Sequence, residues 1–537
     1  MMIKFIPFYF VAILLSQLAY SNKIVKNDTI TDIDIQSTQK VHLEQLKDPY
    51  RALWHLNVSE GKAMPFDPNG AIFHKGVYHL WYIFQSKNSN AINYKGEKTD
   101  YQHEWQHISS LDLFHWRWHS NSLTPNSEHS EIGVFSGNAF KAKDGNIVIA
   151  YHGLGSDGNS IAYSNDDELN LWTKSKNNPT ANPGWDPHMW YQSDTDLYYQ
   201  ISGSKPKSGK KPIVYTAKNY MDPMNKIGDF MAFDMPDVEW HEDISCPDFF
   251  KLEDKWVLVL ISHSRGARYY IGQWDGKQFK PESHKRINFP GGPVFAPETL
   301  LDDKGRRIFW AWLYDGYQRK QISQKGYSDG VMTMPRVLKL SKDKLSLNIT
   351  PVKEIENLRY DPKKLKGFQV KSNESYRLKE IYGNSLEIKI TIDPKKSKIF
   401  GVKVLTSEDS QEQTKILIDK NQNVLAIDMS KSSVQNPKYS QYSFMTASFK
   451  KKVKEYKNLT TTVQKAPFKL NEDELITLRI FIDKSIIEVF VNDGAQSITQ
   501  VVYPSLKSSN RIEVFSDDTD IEIKKINAWK LFPTMQW

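Results

Sequence analysis

The chain has 537 residues, a formal net charge of +8 and one cysteine, Cys246. Its lysines are spread out, with short clusters at 205–211, 363–366 and 450–454; these read as solvated loops, and nucleic-acid binding, which needs a concentrated basic face, is set aside. A lone cysteine makes no internal disulfide, so packing must hold the fold, and a chain of this length can bury enough surface for two domains.

Met1-Met2-Ile3-Lys4 and the apolar run Phe5–Leu18 lead to Ala19-Tyr20-Ser21, a small-x-small pattern suited to cleavage. The expectation is a signal peptide over 1–21, and so a secreted or periplasmic protein. The run is too short for a membrane span, and no later stretch is apolar enough to make one.

Asp67-Pro68-Asn69-Gly70 follows an aromatic-rich approach and precedes an alternating stretch, Ala71–Tyr82, read as one strand. Pro68 fixes φ and Gly70 admits an unusual backbone angle, so the turn is stiff. It reads either as an ordinary turn between strands or as the mount for a single carboxylate, a plausible sugar nucleophile. Strand signals then recur at Val77–Phe84, Ile147–Tyr151, Ile161–Tyr163, Leu197–Ser202, Trp256–Ser262, Arg268–Gln273 and Arg307–Leu313. Each is β-branched or aromatic and bounded by turn residues. Amphipathic helices are scarce, so the class is all-β, a propeller or a large sandwich. The Lys-rich stretch 346–366 reads as a linker after a first domain over 45–345. Beyond it, alternating strands such as Ser385–Ile392 and Ile486–Val491, the latter running into a turn at Asn492-Asp493-Gly494, predict a β-sandwich over 367–537.

Taken together, several segments resemble glycoside hydrolase family 32, the invertase, inulinase and levanase family. Asp67–Gly70 is similar to its D-P-N-G, and Trp105–Trp116 to its W-G-H…S-x-D-L-x-H-W stretch. Phe135-Ser136-Gly137-Asn138-Ala139 resembles W-S-G-S-A, and Asp186-Pro187 falls on R-D-P. Cys246-Pro247-Asp248 falls on E-C-P, and Gly326–Arg336 looks like its closing G-W-x-x-x-M-T-x-P-R. The likeness runs over roughly 45 to 535. It implies a five-bladed propeller with its site in the central funnel, followed by a sandwich. The implied chemistry is retaining hydrolysis of a β-fructofuranoside, with Asp67 as nucleophile and Asp186 binding sugar hydroxyls in the transition state. The implied partner is a fructose-containing oligo- or polysaccharide. Trp105 and Phe135 would wall the sugar, and Ser136 and Asn69 complete the substrate-binding set. No metal motif is present and no cofactor is required.

Three departures stand out. Ser245 occupies the position of the family's acid/base Glu, Trp185 that of the R-D-P arginine, and Phe66 that of the Asn before D-P-N-G. A serine hydroxyl is far too weak an acid to replace a carboxylic acid. Asp243 lies two residues before Ser245, on the same side of an extended strand, and is the preferred substitute. Glu298, in Phe295-Ala-Pro-Glu-Thr299, is the second choice. Glu242, which should face away from Asp243, is the third. Two rival readings remain at this point: a non-catalytic sugar-binding protein on the same scaffold, and a furanosidase of other substrate or stereochemistry.

Overall fold

The computed structural model describes residues 47–57, 65–93, 95–204, 211–322, 330–444 and 459–534, together with Gln36, Lys40 and Leu43. The expected signal peptide, most of the Lys205–Lys211 cluster, the Lys450–Lys454 cluster and Gly326–Asp329 lie outside the described residues.

Five innermost strands, Pro68–His74, Gly133–Lys141, Pro187–Gln192, Ser245–Leu252 and Val294–Leu301, stand round one axis, the first beside the fifth. Each begins a blade of four antiparallel strands. The first two blades share one sheet, joined by a single parallel pair, His103 and Gly133. Aromatic side chains pack between blades: Trp190 lies against Tyr199, Phe249, Trp256 and Trp274, and Phe230 against Phe249 and Phe279. Such rings bury large areas and prefer the edge and offset contacts seen here. The second half is a sandwich of two six-stranded antiparallel sheets around an Ile-, Val- and Leu-rich core.

Two expectations need correction. The single strand over Ala71–Tyr82 is a hairpin: Lys75 (φ 49°) and Gly76 (φ 84°) make a two-residue turn between Pro68–His74 and Val77–Lys87. Both central residues carry positive φ, which suits the right-handed twist of the flanking strands. The stretch 346–366 is not a linker. Leu347–Pro351 is the outer strand of the fifth blade, Lys353–Leu358 a 3₁₀ turn and Arg359–Val370 an edge strand of the sandwich. Its lysines mark a solvated strand edge, a common defence against edge-to-edge pairing.

The two halves are joined by a buried polar seam. The backbone N–H groups of Leu53, Trp54 and His55 donate to the Asp483 carboxylate at 2.8, 3.0 and 3.0 Å. Arg336 Nη2 reaches Glu488 Oε2 at 3.0 Å, and Met334 N–H donates to Glu488 Oε1 at 3.1 Å. Among the described residues, no helix is long and apolar enough to cross a membrane.

Candidate active site

The N-terminal ends of the innermost strands meet at one end of the propeller axis. Four of these strands are irregular there, with register shifts between Asn69 and Ile72, Phe135 and Gly137, Ser245 and Asp248, and Phe295 and Pro297. Bulges re-aim side chains and recur beside functional sites. Gly70 (φ 61°), Cys246 (φ 45°) and Ala296 (φ 43°) take left-handed backbone angles within them. At Gly70 a Cβ would also stand 3.1 Å from the rings of both Trp81 and Trp105, so the turn carrying Asp67 accepts only glycine without rearrangement.

This geometry gathers Asp67, Ser136, Asp186 and Cys246. Asp67 is buried, and Ser136 Oγ donates to its Oδ2 at 3.2 Å. Its Oδ1 has no hydrogen-bond partner among the described residues. Asp186 is also buried, and its Oδ2 accepts the Cys246 N–H at 3.0 Å. Cys246 Sγ lies 3.9 Å from Asp67 Oδ2 and 3.8 Å from Asp186 Oδ2, so these two oxygens are at most about 8 Å apart, within the span of one sugar ring. Burial, and then the charge of Asp186, push the Asp67 carboxyl up to about 7, with the Ser136 hydrogen bond partly opposing them. Burial likewise raises Asp186. Burial and the two carboxylates hold the Cys246 thiol well above its usual value, so it stays protonated. Cys246 packs against the propeller core, as its residue type suggests, but its sulfur also separates the two carboxylates.

Other predicted site residues take supporting places. Asn69 donates to the Asp67 carbonyl at 2.8 Å and accepts the Gly137 N–H at 2.9 Å, so its amide ties the turn to the second blade. Trp105, expected to wall the sugar, is fully buried and packs beneath the Asp67 turn, donating from Nε1 to the Phe135 carbonyl at 3.1 Å. Large aromatic surface was needed there, and the core took it. Phe135 remains half-buried, its ring against His103. Phe66 is buried against Tyr82 and against Gly330, where it fills the space a Cβ would take.

Glu298 lies deeper along the axis. Its Oε1 accepts the Ala71 N–H at 3.0 Å, and it lines a cavity of about 400 Å³ with His188, Phe250 and Arg307. Burial and the neighbouring Asp248 raise its carboxyl well above the usual range. Glu242 is clamped by Arg286, at 2.6 and 3.0 Å; burial opposes its ionisation but the arginines prevail, bringing it down to about 2.

The bonding of Asp243 argues against its expected role as the acid. Asp243 and Ser245 do share a side, with Ser245 Oγ donating to Asp243 Oδ2 at 2.8 Å. The same carboxylate also accepts the His263 N–H at 2.9 Å and faces His263 Nδ1 at 2.8 Å. Burial would raise it, yet these partners hold it below the usual carboxylate range. A carboxylate so stabilised is a poor proton donor. Trp185 completes the chain, donating from Nε1 to Ser245 Oγ at 2.9 Å. Two departures from the motifs, Trp185 and Ser245, therefore touch each other. His263 carried no signal along the sequence. Its place follows from pairing: Ser245 faces Ile261 across an antiparallel ladder, and the register extended by two residues sets Asp243 opposite His263.

Residues 59–351 match the glycosyl hydrolases family 32 N-terminal domain, and residues 354–530 match the family 32 C-terminal domain. The chain belongs to glycoside hydrolase family 32. It is accordingly a glycosidase, hydrolysing O-glycosyl bonds. Among family relatives, the levanase of Bacillus subtilis is 27% identical over 90% of this chain and 71% of its own length. An insoluble β-fructofuranosidase isoenzyme of Arabidopsis thaliana is 25% identical over 96% of this chain and 97% of its own. In fold, the chain is similar to fructan 1-exohydrolase IIa of Cichorium intybus, with a TM-score of 0.73 at 21% identity, covering 91% of this chain and 98% of that one.

Proposed function

We propose that this family 32 glycosidase hydrolyses β-fructofuranosides with retention of configuration. Its substrates would be sucrose, fructo-oligosaccharides, inulin or levan. The observation that carries the reading is the pair Asp67 and Asp186, two buried carboxylates at the heads of the first and third innermost strands that touch one sulfur atom. In this reading Asp67 attacks the anomeric carbon and forms a glycosyl-enzyme, which water then opens. Asp67 takes side-chain hydrogen bonds at Oδ2 alone, from Ser136 and weakly from the Cys246 thiol, which leaves its Oδ1 without a partner among the described residues and ready to attack. Asp186, braced by the Cys246 N–H, binds sugar hydroxyls and strengthens its hold as positive charge develops on the ring. Phe135 offers the ring an apolar surface. The names of the relatives, levanase, β-fructofuranosidase and fructan exohydrolase, support a fructosyl substrate.

A panel of sucrose, inulin, levan and arabinofuranosides tests this, with product identity and anomeric configuration followed by NMR. Release of β-configured fructose units is expected. Turnover confined to arabinofuranosides, or an inverted product, would overturn the reading. We also propose that residues 1–21 are removed during export. Mass spectrometry of protein from its native compartment should then find an N-terminus near Asn22, and an intact Met1 would refute it.

A further inference from the structure

We infer that His263 is the general acid and base of this enzyme, doing the work of the carboxylic acid that Ser245 has displaced. The inference rests on the fructofuranosidase reading above. Its starting point is the continuous chain Trp185 Nε1, Ser245 Oγ, Asp243 and His263 Nδ1, with successive contacts of 2.9, 2.8 and 2.8 Å. The chain begins at two of the three positions where the family motifs are broken. It ends on a group that exchanges protons near neutrality.

The other groups at this corner are spoken for. The Ser245 hydroxyl is too weak an acid. Asp243 is saturated by three donors, Glu242 is clamped by arginine, and Glu298 lies deeper, on the Ala71 backbone. The Cys246 thiol sits between the nucleophile and Asp186. His263 is different. Its Nδ1 is fixed by an ionised carboxylate, which sets the tautomer and steadies the imidazolium, an arrangement recurrent in acid–base catalysis. Its Nε2, on the far edge of the ring, has no hydrogen-bond partner among the described residues, and its side chain is 23% exposed. Phe295, from the fifth blade, and Phe444, from the sandwich half, flank the ring edge-on at 6.0 and 5.9 Å. The charged groups that reach it are Asp243, Asp186 and Asp67. Burial would lower its pKa, but these three carboxylates outweigh burial and raise it above the ordinary histidine value. The three carboxylates thus favour the imidazolium, the form that donates.

The step balances simply. As the glycosidic bond breaks, its electron pair moves to the leaving-group oxygen, which takes the Nε2 proton. The Asp67 carboxylate forms the new bond to the anomeric carbon. Neutral His263 then takes a proton from the water that displaces Asp67, and the imidazolium is restored. Asp243 is a positioning residue in this scheme, and Ser245 and Trp185 brace it.

The test compares the best natural glycoside from the panel with 4-nitrophenyl β-fructofuranoside, whose leaving group needs little protonation. His263→Ala should lower kcat/KM on the natural glycoside by about 10²–10⁴-fold and on the aryl glycoside far less. It should also abolish the alkaline limb of the pH profile. Free imidazole should restore part of the lost rate. Equal losses on both substrates with an unchanged pH profile would overturn the inference, as would the selective loss appearing in Glu298→Gln instead. The unsubstituted enzyme gives a second readout independent of variant folding. An imidazole takes up heat on ionising and a carboxyl hardly any, so the alkaline limb should move to lower pH on warming; a stationary limb contradicts His263. If Asp67→Ala retains turnover, the fructofuranosidase mechanism itself fails. If Asp67→Ala is dead and His263→Ala behaves as the parent, this inference alone fails.

Discussion

The two walls of the funnel are built in different ways. On one, Asp67, Ser136 and Asp186 stand on short motifs at strand ends, the first two at bulges and the third held by the Cys246 N–H. On the other, Trp185, Ser245, Asp243 and His263 come from three separate stretches of chain and make sense only together. In the proposed mechanism the first wall has little latitude, because Asp67 and Asp186 would act directly on the sugar. The second transmits a proton, and a proton can be delivered by any group with a suitable pKa at the right place. The family's Glu is gone from the second wall, while Asp67, Ser136 and Asp186 keep their places although Phe66 and Trp185 replace the residues before the two aspartates.

The contrast is broken most severely at the first wall. Asp67→Ala should remove roughly 10⁴–10⁶-fold of kcat on natural and aryl glycosides alike, because both need the nucleophile. Rates measured on the two substrates should fall in parallel, whereas at the second wall His263→Ala separates them. An aryl glycoside spared by Asp67→Ala would erase the distinction between the walls.

The pH profile sharpens the comparison further. The acid limb of kcat/KM belongs to Asp67, which must be ionised to attack, so activity should fall as pH drops through about 7. The Ser136 hydrogen bond favours the Asp67 carboxylate. Ser136→Ala should therefore move the acid limb to higher pH and leave the alkaline limb in place. Asp243→Asn removes the charge that steadies the His263 imidazolium. It should move the alkaline limb to lower pH and leave the acid limb near its original position. Joint movement of both limbs in either variant would show that the walls titrate as one unit.

The smallest effect is expected at the bracing residue. Ser245→Ala takes one donor from Asp243, which keeps the two bonds from His263. A hydrogen bond to a charged group contributes about 1.5–3 kcal/mol. Some of this returns through the His263 contacts, so a loss of about tenfold or less is expected on the natural glycoside. A loss as large as that of His263→Ala would mean that the serine takes part directly.

The difference between the walls also explains what the sequence made legible. The outer strands were readable because each is an unbroken β-branched or aromatic run, as in Trp256–Ser262 and Arg307–Leu313. The innermost strands were harder. Gly133–Lys141, Ser245–Leu252 and Val294–Leu301 hold Gly, Pro, Asn and Asp for the bulges and the site, which interrupts the alternation that marks a strand. Asp67 and Asp186 were visible because a turn motif travels with the residue it positions. His263 was hidden because its role depends on the strand opposite. Asp243 was correctly placed beside Ser245, but its charge state was set by a partner 20 residues away. Trp105 misled for a related reason: a large aromatic beside a site serves the ligand or the core equally well, and only burial decides.

The central claim is that Asp67 becomes covalently attached to the sugar. Its most direct test is to quench the enzyme in acid during turnover of an activated β-fructofuranoside, digest it and map the adduct by mass spectrometry. Using His263→Ala should favour accumulation, because departure of the aryl group is spared while attack by water is slowed. The account predicts one fructosyl unit on the peptide containing Asp67, and on Asp67 itself after fragmentation. A fructosyl unit on another carboxylate, or an unmodified enzyme under conditions of steady aryl release, would contradict it.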